Sequence, residues 1–446
     1  MNLFFIELKL SFIQKGGGII LRRKEMIYLC SILSFFISTA EALQTNGSFS
    51  IVKDNVLNVA GRKEDGQLDL TKPYLIKGVV WNPATRAPQK GINPKTKRTK
   101  IDYGFFFDHE NQDPKGYEVL RYWLQQEYQK YFLSDIMLMK KMNVNTVRVF
   151  NCFSDDPEIN TRILDEFFRN NIMVIMTVAL TKKDIDDKEY VKVVEMCKDH
   201  PAILMWAIGN EWNLSNMGYS GYKTIVKAAK AVNLVAEEIK RMDPYHSVST
   251  VIGDVLCDKY NVNLVKWFVE ECTNIDLWGI NSYRGKTFGD LFDKWEDISG
   301  KPFYFSEFGV DSFMTEKYKL YKNVFAKRCK GEESQLIQSE YVMGLWEEVK
   351  NNLSFYKPEK KCIGGLVFSF NDALWKVGSY HSGLGGIINY TNPYEASCYS
   401  KYDTEGFYMK NAFPDDVANE EYFGIVNADR EPKSVFYALQ EFYASL

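Results

Sequence analysis

Histidine is scarce: His109, His200, His246 and His381 are all that 446 residues contain. None falls in HxH or HExxH spacing, so no zinc site is expected and no metal or other cofactor is implied. Glycine-rich phosphate loops are missing too. There is no P-loop, and the first strand-like run ends in "VVWNPATRAP" without the glycines of a dinucleotide fold. The absence of a G-x-S-x-G elbow removes the common serine-hydrolase arrangement. Neither sign of charge dominates: 55 Lys and Arg against 58 Asp and Glu, net −3. That balance gives no electrostatic footprint for a nucleic-acid partner. Beyond the N-terminal segment no apolar run reaches membrane-spanning length, so no stable membrane insertion is expected. The C-terminal "ALQEFYASL" lacks the apolar tail of a GPI signal.

Several things are present instead. Arg22-Arg23-Lys24 precede an apolar run at 27–38, and Ala40-Glu41-Ala42 has the small-x-small form of a cleavage site. Residues 1–42 read as a secretory signal peptide, with Met26 as an alternative start and a secreted or secretory-lumen product. Of eight cysteines, Cys30 leaves with the signal. The remaining Cys152, Cys197, Cys257, Cys272, Cys329, Cys362 and Cys398 are odd in number and show no CxxC. One or more disulfides among the later ones are expected in an oxidising compartment. Sequons at Asn46, Asn213, Asn352 and Asn389 offer N-glycan sites. The aromatic share, 15%, suits both a large core and a cleft that stacks flat ligand faces.

Residues 43–72 read as an extension containing a short hairpin, and 73–446 as one catalytic domain with no linker dividing it. Within that domain apolar strand-like runs alternate with amphipathic helical stretches. The strand candidates are 74–81, 144–150, 172–179, 202–209, 247–253, 275–283, 302–308 and 363–370. The helical pattern is clear in "EINTRILDEFFRNN", which puts Ile159, Ile163, Leu164, Phe167 and Phe168 on one face, and in "SVFYALQEFYASL". Eight strands alternating with helices predict an α/β fold, the (β/α)8 TIM barrel. Two connections, 82 to about 118 and 371 to about 432, are too long for turns. They follow strands 1 and 8 and are expected to wall a cleft at the C-terminal face, the alternative being disorder in the Lys-rich part of the first.

Polar residues end the apolar runs: Arg148, Asn210-Glu211, Asn281 with Tyr283, Glu307, and Asn371-Asp372 with Trp375. Parallel strands put all these ends on one rim. Glu211 and Glu307 then lie across the barrel mouth, the layout of retaining glycoside hydrolysis, in which carboxyl groups about 5–5.5 Å apart act as acid/base and nucleophile. Arg148 would keep its neighbour charged, Tyr283 would hydrogen-bond the nucleophile, and Trp375 would either pack in the core or offer a flat face to a sugar ring. Trp206, Trp278 and Trp346 are expected in the core, and His200 and His246 on the opposite, structural face.

"WAIGNEWN" and "YFSEFG" resemble the acid/base and nucleophile motifs of glycoside hydrolase clan A, the (β/α)8 retaining enzymes. "YLIKGVVWNP", "NTVRVF", "GINSY", "FSEFG" and "GGLVFSF" are similar, in order, to motifs of the β-1,3-glucanosyltransferases of family 72. "DHPAILMWAIGNEWN" together with "NIDLWGINSYRGKTFGDLF" resembles bacterial family 2-type barrel glycosidases. The resemblance implies Glu211 as acid/base, Glu307 as nucleophile, and Asn210 as the residue holding the sugar 2-hydroxyl. Arg148 and Tyr283 would orient Glu307. The partner it implies is an oligo- or polysaccharide, with β-glucan favoured. The rival from another class is a non-catalytic glycan-binding barrel that keeps the cleft. Oligomeric state is not legible in the sequence.

Overall fold

The structure is a computed structural model. It describes residues 14–15, 18–19, 50–62, 68–85, 114–214, 218–254, 256, 262–318, 328–374, 395–397, 412–415 and 418–446. Residues 1–46 separate as one unit, in which Gln14–Lys15 and Gly18–Ile19 pair antiparallel. Residues 47–446 form the other. The rest of the segment read as a signal peptide lies outside the described residues, as do Trp375, Asn46, Asn389, His109 and His381.

Eight parallel strands close a barrel, as the alternating runs predict. They are β1 Ile76–Val80, β2 Thr146–Val149, β3 Met173–Val178, β4 Ile203–Ile208, β5 Ser247–Gly253, β6 Leu277–Asn281, β7 Phe303–Phe308 and β8 Cys362–Val367. Each pairs with the next, and β8 closes on β1 through Gly364↔Ile76 to Val367↔Val79. Gly364 is required there. Its φ is +123°, and a Cβ would stand 2.0 Å from the Ile76 carbonyl oxygen. Besides the short helix Lys182–Asp186, the helices are α1 Pro114–Lys141, α2 Pro157–Arg169, α3 Glu189–Cys197, α4 Ile225–Met242, α5 Val262–Glu271, α6 Leu291–Ile298, α7 Gln335–Asn351 and α8 Ser434–Ser445.

Local chemistry sets the helix limits. At α2 the Asp156 side chain accepts from the Glu158 amide and Pro157 occupies the first turn. Ile163, Leu164 and Phe167 are buried, while Ile159 and Phe168 are only partly covered at the margin of the same face. Thr224 caps α4, whose C-cap is Asp243, the residue before Pro244. Strands buried on both faces read as unbroken apolar runs, which is why all eight were legible.

Two apolar layers result. Most of the core, including Trp206, Trp278 and Trp346, lies between strands and helices. A smaller cluster containing Val80, Ile175, Leu204, Val251, Tyr304 and Leu366 shares its packing with Leu57 and Val59 of the N-terminal extension. Each such side chain adds about 1.5–3 kcal/mol by leaving water. The extension differs from the expected hairpin: three strands, Ser50–Lys53, Val56–Arg62 and Leu68–Tyr74, form an antiparallel sheet. The Ser50 amide bonds the Tyr245 carbonyl at 3.1 Å, and the Ser247 amide bonds Ser50 Oγ at 2.9 Å. The sheet is thereby pinned just ahead of β5. His246, bonded to Asp243 at 2.7 Å, and His200, accepting from the Ala202 amide, belong to this same N-terminal side.

The long connections divide. Of the first, only Asn82–Thr85 is described before α1, which begins at Pro114 rather than near 118. The connection after β8 returns at 418–426 as a strap bonded along 369–373. The Ser369 amide reaches the Phe423 carbonyl at 3.1 Å, and the Ile425 amide reaches that of Ser369 at 2.9 Å. A third excursion was not expected. After β7, Phe313–Tyr318 and Arg328–Glu333 form a hairpin that Glu395–Ser397 extends to three strands.

One expectation, the sequon at Asn213, is corrected here. Cys152, Cys197, Cys272 and Cys362 are buried and free. The side chains of Cys257, Cys329 and Cys398 lie outside the described residues. Asn213 is no glycan acceptor in the folded chain. It is buried, its Nδ2 donates to the Gly253 carbonyl at 3.0 Å, and its Oδ1 accepts from the Gly253 amide at 2.8 Å.

Candidate active site

β4 ends at Ile208, and the chain turns through two left-handed residues, Gly209 at φ +69° and Glu211 at φ +50°. For a glutamate that conformation costs on the order of 1 kcal/mol and persists only where neighbours over-determine it. They do. The Glu211 amide bonds the Val251 carbonyl at 3.1 Å, Trp212 Nε1 bonds Thr250 Oγ1 at 2.8 Å, and Asn213 grips Gly253. Three successive side chains or amides are tied to β5, so the carboxyl group of Glu211 is aimed rather than left at a fraying strand end.

Glu307 lies within β7 and is buried. Its Oε1 accepts from Arg148 Nη1 at 2.7 Å and its Oε2 from the Tyr283 hydroxyl at 3.0 Å. Arg148 rises from β2 and is wholly buried. Its Nε donates to Thr177 Oγ1 at 3.1 Å, its Nη2 to Asn210 Oδ1 at 2.7 Å, and Phe150 lies under the guanidinium at 4.9 Å. A buried ion pair survives desolvation only when the remaining donors find partners, and here they do.

Asn281, the last residue of β6, completes the group. A register shift at Ile280/Asn281 brings it opposite Glu307. Its Nδ2 donates to Glu211 Oε1 at 3.1 Å and to Asn210 Oδ1 at 3.2 Å, and its Oδ1 accepts from Ser306 Oγ at 2.7 Å. One hydrogen-bonded chain therefore runs Glu211–Asn281–Asn210–Arg148–Glu307–Tyr283. The structure brings together Arg148, Asn210, Glu211, Tyr283 and Glu307. In the sequence Asn281 shows only as a polar strand end, and nothing there marks Thr177 or Ser306. The available signal was period-two spacing: Asn281 and Tyr283 stand two apart in "GINSY".

Asn371 and Asp372 do something else. Asp372 Oδ1 accepts from Lys433 Nζ at 2.8 Å and from the Gly424 amide at 2.9 Å, which fastens the strap to the end of β8. Phe423 on that strap packs edge-on against Tyr283, ring centres 5.9 Å apart.

The two carboxyl groups differ electrically. Half-buried Glu211 meets one amide donor, and desolvation with the charge of Glu307 pushes it from 4.5 up to about 8. Glu420, at the start of the turn Glu420–Tyr422, pushes the same way, and Arg148 pushes weakly against it. These causes favour the protonated form of Glu211, while Glu307 accepts from cationic Arg148 and from Tyr283. A proton donor and an anionic oxygen facing one rim can protonate a leaving group and attack the carbon it leaves.

Residues 155–352 match the family model for the TIM-barrel domain of glycosyl hydrolases family 2. No curated protein matches the sequence. Among solved structures the chain is similar to a beta-D-glucuronidase of Dictyoglomus thermophilum, at 15% identity over 90% of this chain and 54% of that one, TM-score 0.47. It is likewise similar to a GH2 beta-galacturonidase from Eisenbergiella tayi, at 16% identity over 90% and 54%, TM-score 0.48. A third is a Faecalibacterium prausnitzii beta-glucuronidase, at 16% over 90% and 52%, TM-score 0.48. The chain spans about half the length of these structures. The stretch similar to a glycoside hydrolase barrel is thus the one that carries both Glu211 and Glu307.

Proposed function

We propose that this protein is a secreted, retaining β-glycosidase or transglycosylase. The observation that carries the reading is the unequal pair on one network: Glu211 with one amide donor and pushed toward its protonated form, Glu307 held by Arg148 and Tyr283. Glu307 attacks the anomeric carbon while Glu211 gives its proton to the glycosidic oxygen, and a covalent glycosyl-enzyme results. Once Glu307 is esterified its charge is gone. The repulsion that keeps Glu211 protonated then falls, and Glu211 becomes a base toward water or a sugar hydroxyl. Asn210 spends its oxygen on Arg148 and Asn281, which turns its amino group into the donor offered to the sugar 2-hydroxyl. The motif resemblance favours a β-glucan, β-1,3-linked, as substrate, and the N-terminal pattern at 22–42 supports secretion.

The test is turnover on a panel of β-glucosides, laminari-oligosaccharides, β-glucuronides and β-galacturonides by wild type and Glu307→Gln. Loss of activity by about 10⁴-fold or more in the variant is expected, with a fluoro-sugar labelling Glu307 in wild type. Binding of a glycan without turnover, or a label on another residue, overturns the reading. Products longer than the starting laminari-oligosaccharide mean transfer, and shorter ones mean hydrolysis.

A further inference from the structure

A hydrogen-bond chain has a direction when one member can only donate. A guanidinium has no acceptor, so Arg148 obliges Asn210 to turn its Oδ1 inward, where Nη2 meets it at 2.7 Å. That oxygen also faces Asn281, 3.2 Å away, and so Asn281 must present its amino group. The reversed amide would set oxygen against oxygen. From the other side Ser306 Oγ donates to Asn281 Oδ1 at 2.7 Å, and both residues are buried. The second N–H of the amide is left for Glu211 Oε1, at 3.1 Å.

We infer that Asn281 is a positioning residue that assigns the acid proton of Glu211 to one oxygen: its N–H makes Oε1 the acceptor and leaves the proton to Oε2. This rests on reading Glu211 as the proton donor. In the glycosylation step the Oε2–H bond breaks and the proton passes to the leaving oxygen. That oxygen also keeps the electron pair of the broken C–O bond, while Glu307 supplies the pair for the new one. The negative charge then left on Glu211 is shared with Oε1, and the Asn281 N–H bond strengthens as the charge develops, which favours the transition state over the ground state. The other charged groups facing Glu211 are Glu307 from β7, Arg148 from β2 and Glu420 from the strap, and none of them supplies a donor to Oε1 among the described contacts.

Infrared difference spectra of wild type and Asn281→Ala, with Glu211→Gln subtracted to isolate the Glu211 band, test the assignment. With Oε1 as carbonyl oxygen, losing the N–H moves the protonated C=O stretch to higher frequency. It also raises the titration midpoint of Glu211 by about one unit, because the donor favoured the ionised form. In kinetics, kcat/KM falls about 10–100-fold for glycosides with poor leaving groups and less than about threefold for activated aryl glycosides that need no protonation. A merely structural role would lower both alike. An unmoved C=O band with an unmoved midpoint overturns the proposal, whatever happens to activity. Should wild type turn over no glycoside, the functional reading fails, and the spectra still decide the role of Asn281. Asn281→Ser, whose hydroxyl is too short to reach Glu211, serves if the alanine variant does not fold.

Discussion

Glu211 and Glu307 are the same residue type on the same barrel rim, and the chain builds two opposite surroundings for them. Glu307 sits inside a strand, with an arginine on one oxygen and a phenol on the other. Glu211 sits one turn past a strand, in a strained left-handed conformation, with a single amide donor and two carboxylates within electrostatic reach. Chemical identity therefore says little about role. Whether a carboxyl group is an acid or an anion is decided by who donates to it and how much water it has lost.

The comparison can be broken first at Arg148. Arg148→Met removes the cation but keeps the stem, leaving Glu307 buried without its arginine. A loss of about 3–5 kcal/mol in unfolding free energy is expected, read by chemical denaturation, with activity falling as Glu307 takes up a proton. Retention of full stability would mean that the ion pair contributes nothing to holding the rim.

Glu211→Gln sharpens the other side. An unfolded chain ionises Glu211 near 4.5 and the folded one only near about 8. The folded state thus holds a proton that the unfolded chain has released. This stabilising contribution is complete below the lower value and is lost as pH rises toward the upper one. Wild type should lose on the order of 1–3 kcal/mol between about pH 5 and pH 8 relative to the glutamine variant. Denaturation curves for both proteins at the two pH values measure it, and parallel pH dependences would show that Glu211 ionises normally. The smallest effect is expected from Tyr283→Phe, which removes one neutral donor to Glu307 and keeps the ring against Phe423. A roughly tenfold fall in kcat with little change in stability is anticipated, and steady-state kinetics with thermal unfolding checks both.

How much could be read beforehand follows from where each signal lives. The eight strands announce themselves because a doubly buried strand must be apolar throughout, and the polar residues that end them mark one rim. The hairpin at 313–333 did not, since "FMTEKY" and "RCKGEE" carry no apolar alternation. The strap at 418–426 is held by backbone bonds to 369–373, which leave no trace in side-chain pattern. Asp372 reads as a polar strand end on the rim and is instead clasped by buried Lys433. Asn213 reads as a sequon and is instead tied to β5.

The sequence by itself determined the barrel and the identity of its rim residues, because both depend on local periodicity and on the end of each apolar run. Only the tertiary structure set the different surroundings of the two glutamates. That depends on Arg148, Asn210 and Asn281 meeting across β2, β4 and β6, and a direction of hydrogen bonding exists only once donors and acceptors from distant strands are set against one another.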